Sequence, residues 1–317
     1  MRRERPLRVL TWQVHGNYLY YLTQTPHEFF VVTDVQRTPG YGGLGGALPW
    51  GDNVHEVALE RLRQESFDVV LYQSRRNYDV DRLVQLSDEQ RLLPAIFLEH
   101  DPPQQHPTNT QHFVDDPAVL LVHVTHFNAL MWDSGRSPTR VIEHAVKPPR
   151  PAHYDGTLAR GIVVVNHLAR RGRRLGADVF ARAREKIPLD LVGMDATALG
   201  GLGEIANDEL ATFVARYRFF FNPIRYTSLG LAVIEAMMAG VPVVALGTTE
   251  MATVIDDGVN GYVGTDIDRL IDRMQELIDD PALARRLGAA GRDYALARFG
   301  IARFAREWDE TLRGVIV

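Results

Sequence analysis

The chain has 317 residues, 45% of them hydrophobic, which is enough for a substantial core and for two modest domains. Thirty-five Lys and Arg against forty Asp and Glu leave a net charge of −5, which argues against a general affinity for nucleic acid. Cysteine is absent, excluding a disulfide frame, a thiolate metal site and a Cys nucleophile, and no stretch approaches the roughly twenty apolar residues of a membrane span.

Apolar runs at 7–10, 29–32, 69–72, 95–98, 119–122 and 141–142 are candidate strands of a first sheet. The opening MRRERPLRVLTW holds too short an apolar run for a secretory leader, so the expected address is the cytoplasm. The first strand runs into His15, Gly16 and Asn17 ahead of an aromatic helix at 18–22. Gly16 lets the backbone approach a ligand and His15 can hydrogen-bond one, whereas a plain cap at Asn17 explains the same residues. From 33 to 53 the chain is glycine-rich and aperiodic, with Tyr41 and Trp50 inside it; a mobile lid and a disordered insertion both fit. His100 and Asp101 end the strand AIFLEH. His106, His112, His123 and His126 follow without a metal-ligand spacing and read as loop or satisfied core residues.

After Lys147, the proline-rich PPRPAHYDG reads as a linker. Strands at 162–165, 189–192, 219–221 and 241–245 then alternate with helices at 175–186, 208–216 and 229–239, a second doubly wound sheet. The first of these strands leads into NHLARRGRR, where Arg170 and Arg171, and less directly Arg173 and Arg174, follow a strand end as phosphate-binding candidates; a solvated basic helix start or a nucleic-acid patch is the alternative. The amides of Ser228, Leu229 and Gly230, with a helix dipole behind them, make an anion site beyond the carboxyl end of the strand FFF. Glu235, seven residues past Ser228, is placed to accept hydrogen bonds from a diol such as that of ribose. Phosphate and ribose together describe a nucleotide, but an ordinary βαβ unit also fits, with Glu235 a solvated helix residue and Gly230 a packing glycine. Thr248 and Thr249 offer hydroxyls and amides near the same strand ends, with Glu250 opposing an anion unless it turns away. The tail from 266 to 312 is helical in pattern, with a cap at Asp280 before Pro281.

The segment RFFFNPIRYTSLGLAVIEAMMAGVPVVA resembles the carboxyl-terminal nucleotide-sugar site of retaining glycosyltransferases of family four, at Pro223, Gly230, Glu235, Ala236, Met237, Gly240, Pro242, Val243, Val244 and Ala245. That resemblance implies a GT-B fold: α/β, two Rossmann-like doubly wound domains facing a cleft. An acceptor-side domain is expected over 1–147, a nucleotide-sugar domain over 148–300, and a last helix over 301–317 crossing back to the first. It implies ribose on Glu235, the donor diphosphate on the amides of Ser228, Leu229 and Gly230 with His167, Arg170 and Arg171, and Thr249 where relatives often carry glycine. Catalytic His100 would stand beside the reacting sugar, with His15, Gly16, Asn17 and Asp101 on the acceptor side and Tyr41 and Trp50 as sugar-stacking surfaces of the lid. Thr227 falls on the first Glu of the family's paired glutamates.

The expected reaction moves a sugar from a nucleotide-diphosphate-sugar donor, its base open, to an unidentified glycan, lipid-linked or small-molecule acceptor with retention. Thr227 cannot act as a carboxylate nucleophile, so a front-face route, in which the leaving phosphate helps deprotonate the acceptor, fits better than a covalent intermediate. No metal, no cofactor beyond the donor, no nucleic-acid partner and no transmembrane segment are expected, while peripheral membrane contact is compatible with the family. Two rival readings are a GT-B protein that binds nucleotide sugars without transfer, and a sugar-nucleotide epimerase or hydrolase. A dinucleotide oxidoreductase is disfavoured because no G-x-G-x-x-G opens either half.

Overall fold

A computed structural model describes residues 5–14, 16–45, 48–147 and 152–316. Contacts divide the chain into two units, Met1–Ala145 with Ile301–Val317, and Val146–Gly300.

The first unit is built on β1 (Arg8–Thr11), α1 (Gly16–Leu22), β2 (Glu28–Thr33), β3 (Val54–Ala58), β4 (Val69–Tyr72), α2 (Arg82–Gln85), α3 (Asp88–Arg91), β5 (Ala95–Glu99), β6 (Val119–His123), α4 (His126–Met131) and β7 (Thr139–Val141). The strands form one parallel sheet in the order β3-β2-β1-β4-β5-β6-β7. β4 is buried at every residue, as a parallel strand covered on both faces requires. The final helix of the chain also belongs to this unit: Phe304, Trp308 and Leu312, four residues apart, are fully buried, and Trp308 Nε1 donates to the Tyr18 hydroxyl at 3.2 Å.

β3 has no counterpart among the strands read from the sequence. Its residues, VHEVA, bury only Val54 and Val57, and as the sheet's edge strand it carries no continuous apolar run. It corrects the lid reading as well. Glu56 on β3 takes both arms of the Arg37 guanidinium at 2.7 Å and the Leu44 amide at 2.9 Å, pinning the 34–45 segment. Tyr41 is 3% exposed in the core, and its hydroxyl accepts from Gln85 Nε2, so it offers no stacking surface. Trp50 is half-buried, edge-on to Tyr20 at 5.8 Å.

The second unit comprises β8 (Leu158–Val164), α5 (Leu168–Leu175), α6 (Ala177–Arg184), β9 (Leu189–Val192), α7 (Asn207–Val214), β10 (Tyr217–Asn222), α8 (Leu231–Ala239), β11 (Val243–Leu246), α9 (Met251–Val254), β12 (Gly261–Gly264), α10 (Ile267–Asp279) and α11 (Pro281–Arg298); the chain ends with α12 (Ile301–Gly314) in the first unit. Its five strands are parallel in the order β12-β11-β10-β8-β9. Phe219, Phe220 and Phe221 are at most 1% exposed, as the apolar run of β10 dictates. Asp280 caps α11, accepting from the Ala282 and Leu283 amides at 2.9 Å with Pro281 in the first turn. The helix expected at 175–186 is α6, which begins two residues later because Gly176 turns left-handed (φ 83); the preceding α5 is itself kinked at Gly172 (φ 55, ψ −137). A Cβ at Gly176 would lie 1.9 Å from the Pro223 carbonyl oxygen, so only glycine lets α6 approach the loop after β10.

Both strand orders contain a point where the winding reverses, between β1 and β4 in the first sheet and between β8 and β10 in the second. Ligands of open α/β sheets bind beyond the carboxyl ends of the strands at such points.

Candidate functional site

In the second unit the two loops leaving this reversal point are 165–167, after β8, and 223–230, after β10. His167 takes a left-handed backbone (φ 56), and its Nδ1 pairs with the Asp195 carboxylate from the loop after β9. Nε2 is then the ring nitrogen left to face a ligand. Arg170 and Arg171 lie exposed in the first turn of α5. Arg173 and Arg174, the weaker phosphate candidates, have structural work instead. Arg173 pairs with Asp178 at 2.6 Å, and Arg174 Nε donates to the Tyr226 carbonyl at 3.0 Å with its guanidinium 5.8 Å from that ring. Arg225 completes the brace, gripping both oxygens of Asp178 at 2.5 and 2.9 Å. The loop carrying Thr227 to Gly230 is thereby tied to the start of α6.

α8 begins at Leu231, not at Leu229, because Gly230 is extended (φ −73, ψ 133). Glu235 therefore stands in the second turn of the helix rather than two full turns above Ser228. The N-cap glycine offers no side chain to cap this helix, and no acidic residue occupies its first turn. A Cβ built on Gly230 would meet no atom within 4 Å. The glycine therefore faces open space and packs against nothing, which removes one half of the ordinary-βαβ alternative. The other half falls with Glu235, which is 8% exposed and so is not a solvated helix residue. Thr227 and Ser228 are half-buried on the loop, and Leu229 is buried beneath it.

The segment after β11 joins this wall. Thr248 Oγ1 donates to the Ile224 carbonyl at 2.9 Å, and Thr249 holds a positive φ of 53°, uncommon for a β-branched residue. Glu250 is turned away from any anion: it is 2% exposed, lies 3.3 Å from Arg298 and accepts from Thr253 Oγ1 at 2.9 Å.

In the first unit, His100 and Asp101 follow β5 directly. His100 is half-buried, its ring edge-on to Tyr18 at 5.0 Å and its carbonyl accepting from Asn128 Nδ2 at 3.1 Å. Asp101 is fixed through its backbone, accepting from Trp132 Nε1 and donating to Glu99 Oε1, both at 2.8 Å. His100 and Asp101 border a cavity of about 380 Å³ beyond the carboxyl ends of β4 and β5, also lined by Gln73, Glu99, Phe113 and Trp132. Sequence reasoning missed these last four. Only Glu99, next to His100 at the same strand end, carried a signal that could have found it. His15 lies outside the described residues. Gly16 opens α1, so Asn17 is the second residue of that helix and not its cap. His112 and His123 are buried, and His106 and His126 are exposed. Among the described residues no group of three or more His, Cys, Asp or Glu is arranged to hold a metal ion, and no helix is long and apolar enough to cross a membrane.

Residues 167–280 match the protein family described as Glycosyl transferases group 1. A GDP-mannose-dependent alpha-(1-6)-phosphatidylinositol monomannoside mannosyltransferase of Mycobacterium tuberculosis is 32% identical over 121 residues, 35% of this chain and 31% of that protein. The match therefore spans about a third of that relative's length. Among solved structures, sucrose-phosphate synthase from Thermosynechococcus elongatus superposes with a TM-score of 0.73 at 16% identity, over 98% of this chain and 99% of the other. Anabaena HepE in complex with UDP gives 0.67 at 15%, over 98% and 100%.

Proposed function

We propose, for a chain that has the GT-B glycosyltransferase fold and whose second unit carries the group 1 glycosyl transferase domain, that it transfers a sugar from a nucleotide-diphosphate donor to an acceptor. The observation that carries the reading is the wall at the β8–β10 reversal: a helix start opening through Gly230 into free space, with a buried carboxylate one turn inside. Backbone amides at a helix entrance suit a diphosphate and Glu235 suits a ribose diol. As the glycosidic bond breaks, the departing diphosphate gains negative charge. The amides of Ser228, Leu229 and Gly230, with His167 Nε2, Arg170, Arg171 and the amide of Thr249, stabilise that charge without moving. His100 and Asp101 serve the acceptor side.

Thr227 has no carboxylate to form a glycosyl intermediate, which favours a front-face retaining route. The same threonine also supports a second reading, a protein that binds the donor without transferring it.

A calorimetric series with UDP, GDP, ADP and TDP sugars tests the first reading. One donor should bind, and Glu235→Ala should weaken it roughly ten- to hundredfold, the loss of hydrogen bonds to a charged group worth about 1.5–3 kcal/mol. Unchanged donor affinity in that variant would sink the site. Tight binding with no glycosylated product across an acceptor panel would favour the second reading. The anomeric configuration of any product, read by NMR, decides retention.

A further inference from the structure

The cavity beside His100 has a definite chemical bias. Its one guanidinium among the lining residues, Arg75, donates to Asp79 at 2.8 Å and lies 5.2 Å over the Phe113 ring, so it is committed already. Glu99 stands in the wall with its side chain 12% exposed. His112 Nδ1 accepts from the Val114 amide at 3.0 Å, so the ring proton sits on Nε2 and is donated to Glu99 Oε2 at 3.0 Å. Glu99 Oε1 in turn accepts from the Asp101 amide at 2.8 Å, so no Lys or Arg takes part in holding this carboxyl group. Asp101 adds a second carboxylate at the rim.

Gln73 lines the same cavity with an amide held from behind. Its Nε2 donates to Thr11 Oγ1 at 2.9 Å and to the Trp12 carbonyl at 2.7 Å; a carbonyl can only accept, which fixes the amide orientation. Its Oε1 is buried and meets no donor within the protein. The wall thus carries two carboxyl groups, with Gln104, Gln105 and Gln111 as neutral amides and Phe113 and Trp132 as apolar faces. A phosphate brings only more acceptors and more negative charge. A ring of hydroxyls brings donors for the oxygens and C–H faces for the aromatics. About 380 Å³ is near the low end for small-molecule sites, roughly 300–1,000 Å³, and suits one ring.

We propose that this cavity binds the acceptor as a hydroxyl-rich ring without phosphate, a neutral sugar or cyclitol, and that Glu99 is the residue that rejects the phosphorylated form. The proposal rests on the transferase reading for the word acceptor, while the binding preference itself does not.

The test titrates the full chain with D-glucose and glucose 6-phosphate, D-mannose and mannose 6-phosphate, and myo-inositol and inositol 1-phosphate. Saturation-transfer NMR is the readout, with nucleotide binding measured separately by calorimetry. At least one neutral member should bind, with its phosphorylated partner at least tenfold weaker. Glu99→Gln should narrow that ratio at least threefold, and Asp101→Asn, at the rim and away from His112, should narrow it in the same direction if the first variant folds poorly. Equal or tighter binding of the phosphorylated member overturns the proposal, as does a ratio that neither variant moves. Nucleotide binding with no neutral ring bound overturns it too while leaving the donor site standing. Neutral-ring binding without any nucleotide sinks the transferase reading and leaves the preference intact.

Discussion

At the scale of single residues, the same buried positions serve binding and stability through opposite demands on charge. Glu235 is buried as a carboxylate at a helix start, and His123 is buried as an imidazole with no counter-charge. Burial first, and neighbouring His112 second, push His123 down to about 4 from 6.5. The folded value lies below the unfolded one, so the stability held by the neutral ring is complete above about pH 6.5 and is lost as pH falls toward 4. Going from about pH 8 to about pH 5.5 should remove roughly 1.5 kcal/mol from the first unit by this group alone. Urea titrations at the two pH values check it: His123→Gln should show a smaller difference than the parent, and equal differences would refute the assignment. Glycines give a second contrast. Gly230→Ala places its methyl in empty space at φ −73, so stability should change by no more than about 1 kcal/mol while nucleotide affinity falls. Gly176→Ala meets both a carbonyl at 1.9 Å and a left-handed backbone, so melting temperature and affinity should fall together. Differential scanning fluorimetry with and without nucleotide separates the two outcomes.

At the scale of elements, what the sequence disclosed followed local signal strength. Runs such as FFF of β10 and the Asp280-Pro281 cap carry their structure in adjacent residues, and the structure has both. β3 was illegible because an edge strand with a charged residue at its centre has no such run. The start of α8 was misplaced by two residues because an extended glycine after a leucine cannot be told from a helical one by periodicity. The nucleotide wall was legible in part: Glu235 and Gly230 sit in one segment, whereas the Asp195 partner of His167 and the Asp178 brace of Arg225 come from other elements. The cavity near His100 was nearly invisible, being assembled from the ends of β4 and β5 and two later loops. One element-level device lies outside any site. Arg218 on β10, 7% exposed, donates to the Leu277 and Ile278 carbonyls at 3.3 and 2.6 Å, closing the last turn of α10. Arg218→Met should cost roughly 2–3 kcal/mol by leaving those carbonyls without a donor, read as a lowered urea midpoint with donor affinity retained in the folded fraction.

At the scale of the whole molecule, each sheet is parallel and reverses its winding once; the nucleotide wall lies at the reversal of the second sheet, and the His100 cavity lies beside that of the first, beyond the carboxyl ends of β4 and β5. That is why two unrelated sets of side chains came to stand at strand ends: the topology selects the place and the loops supply the chemistry. The second unit is one continuous segment, whereas the first is interrupted and regains its last helix only after the second is complete. Deleting 301–317 strips Phe304, Trp308 and Leu312 from the first unit, each worth roughly 1.5–3 kcal/mol when buried. Hydrogen exchange on the shortened protein should show the first sheet deprotected and the second still protected, with nucleotide binding preserved.

The interruption also imposes an order on biosynthesis. On a translating ribosome, the segment closing with Gly300 can reach its native state as soon as it clears the exit tunnel, while the amino-terminal sheet, translated earlier, waits with the surface around Tyr18 uncovered until α12 emerges. The half of the protein made first is thus the half that finishes last, and it is the one a chaperone would need to shelter.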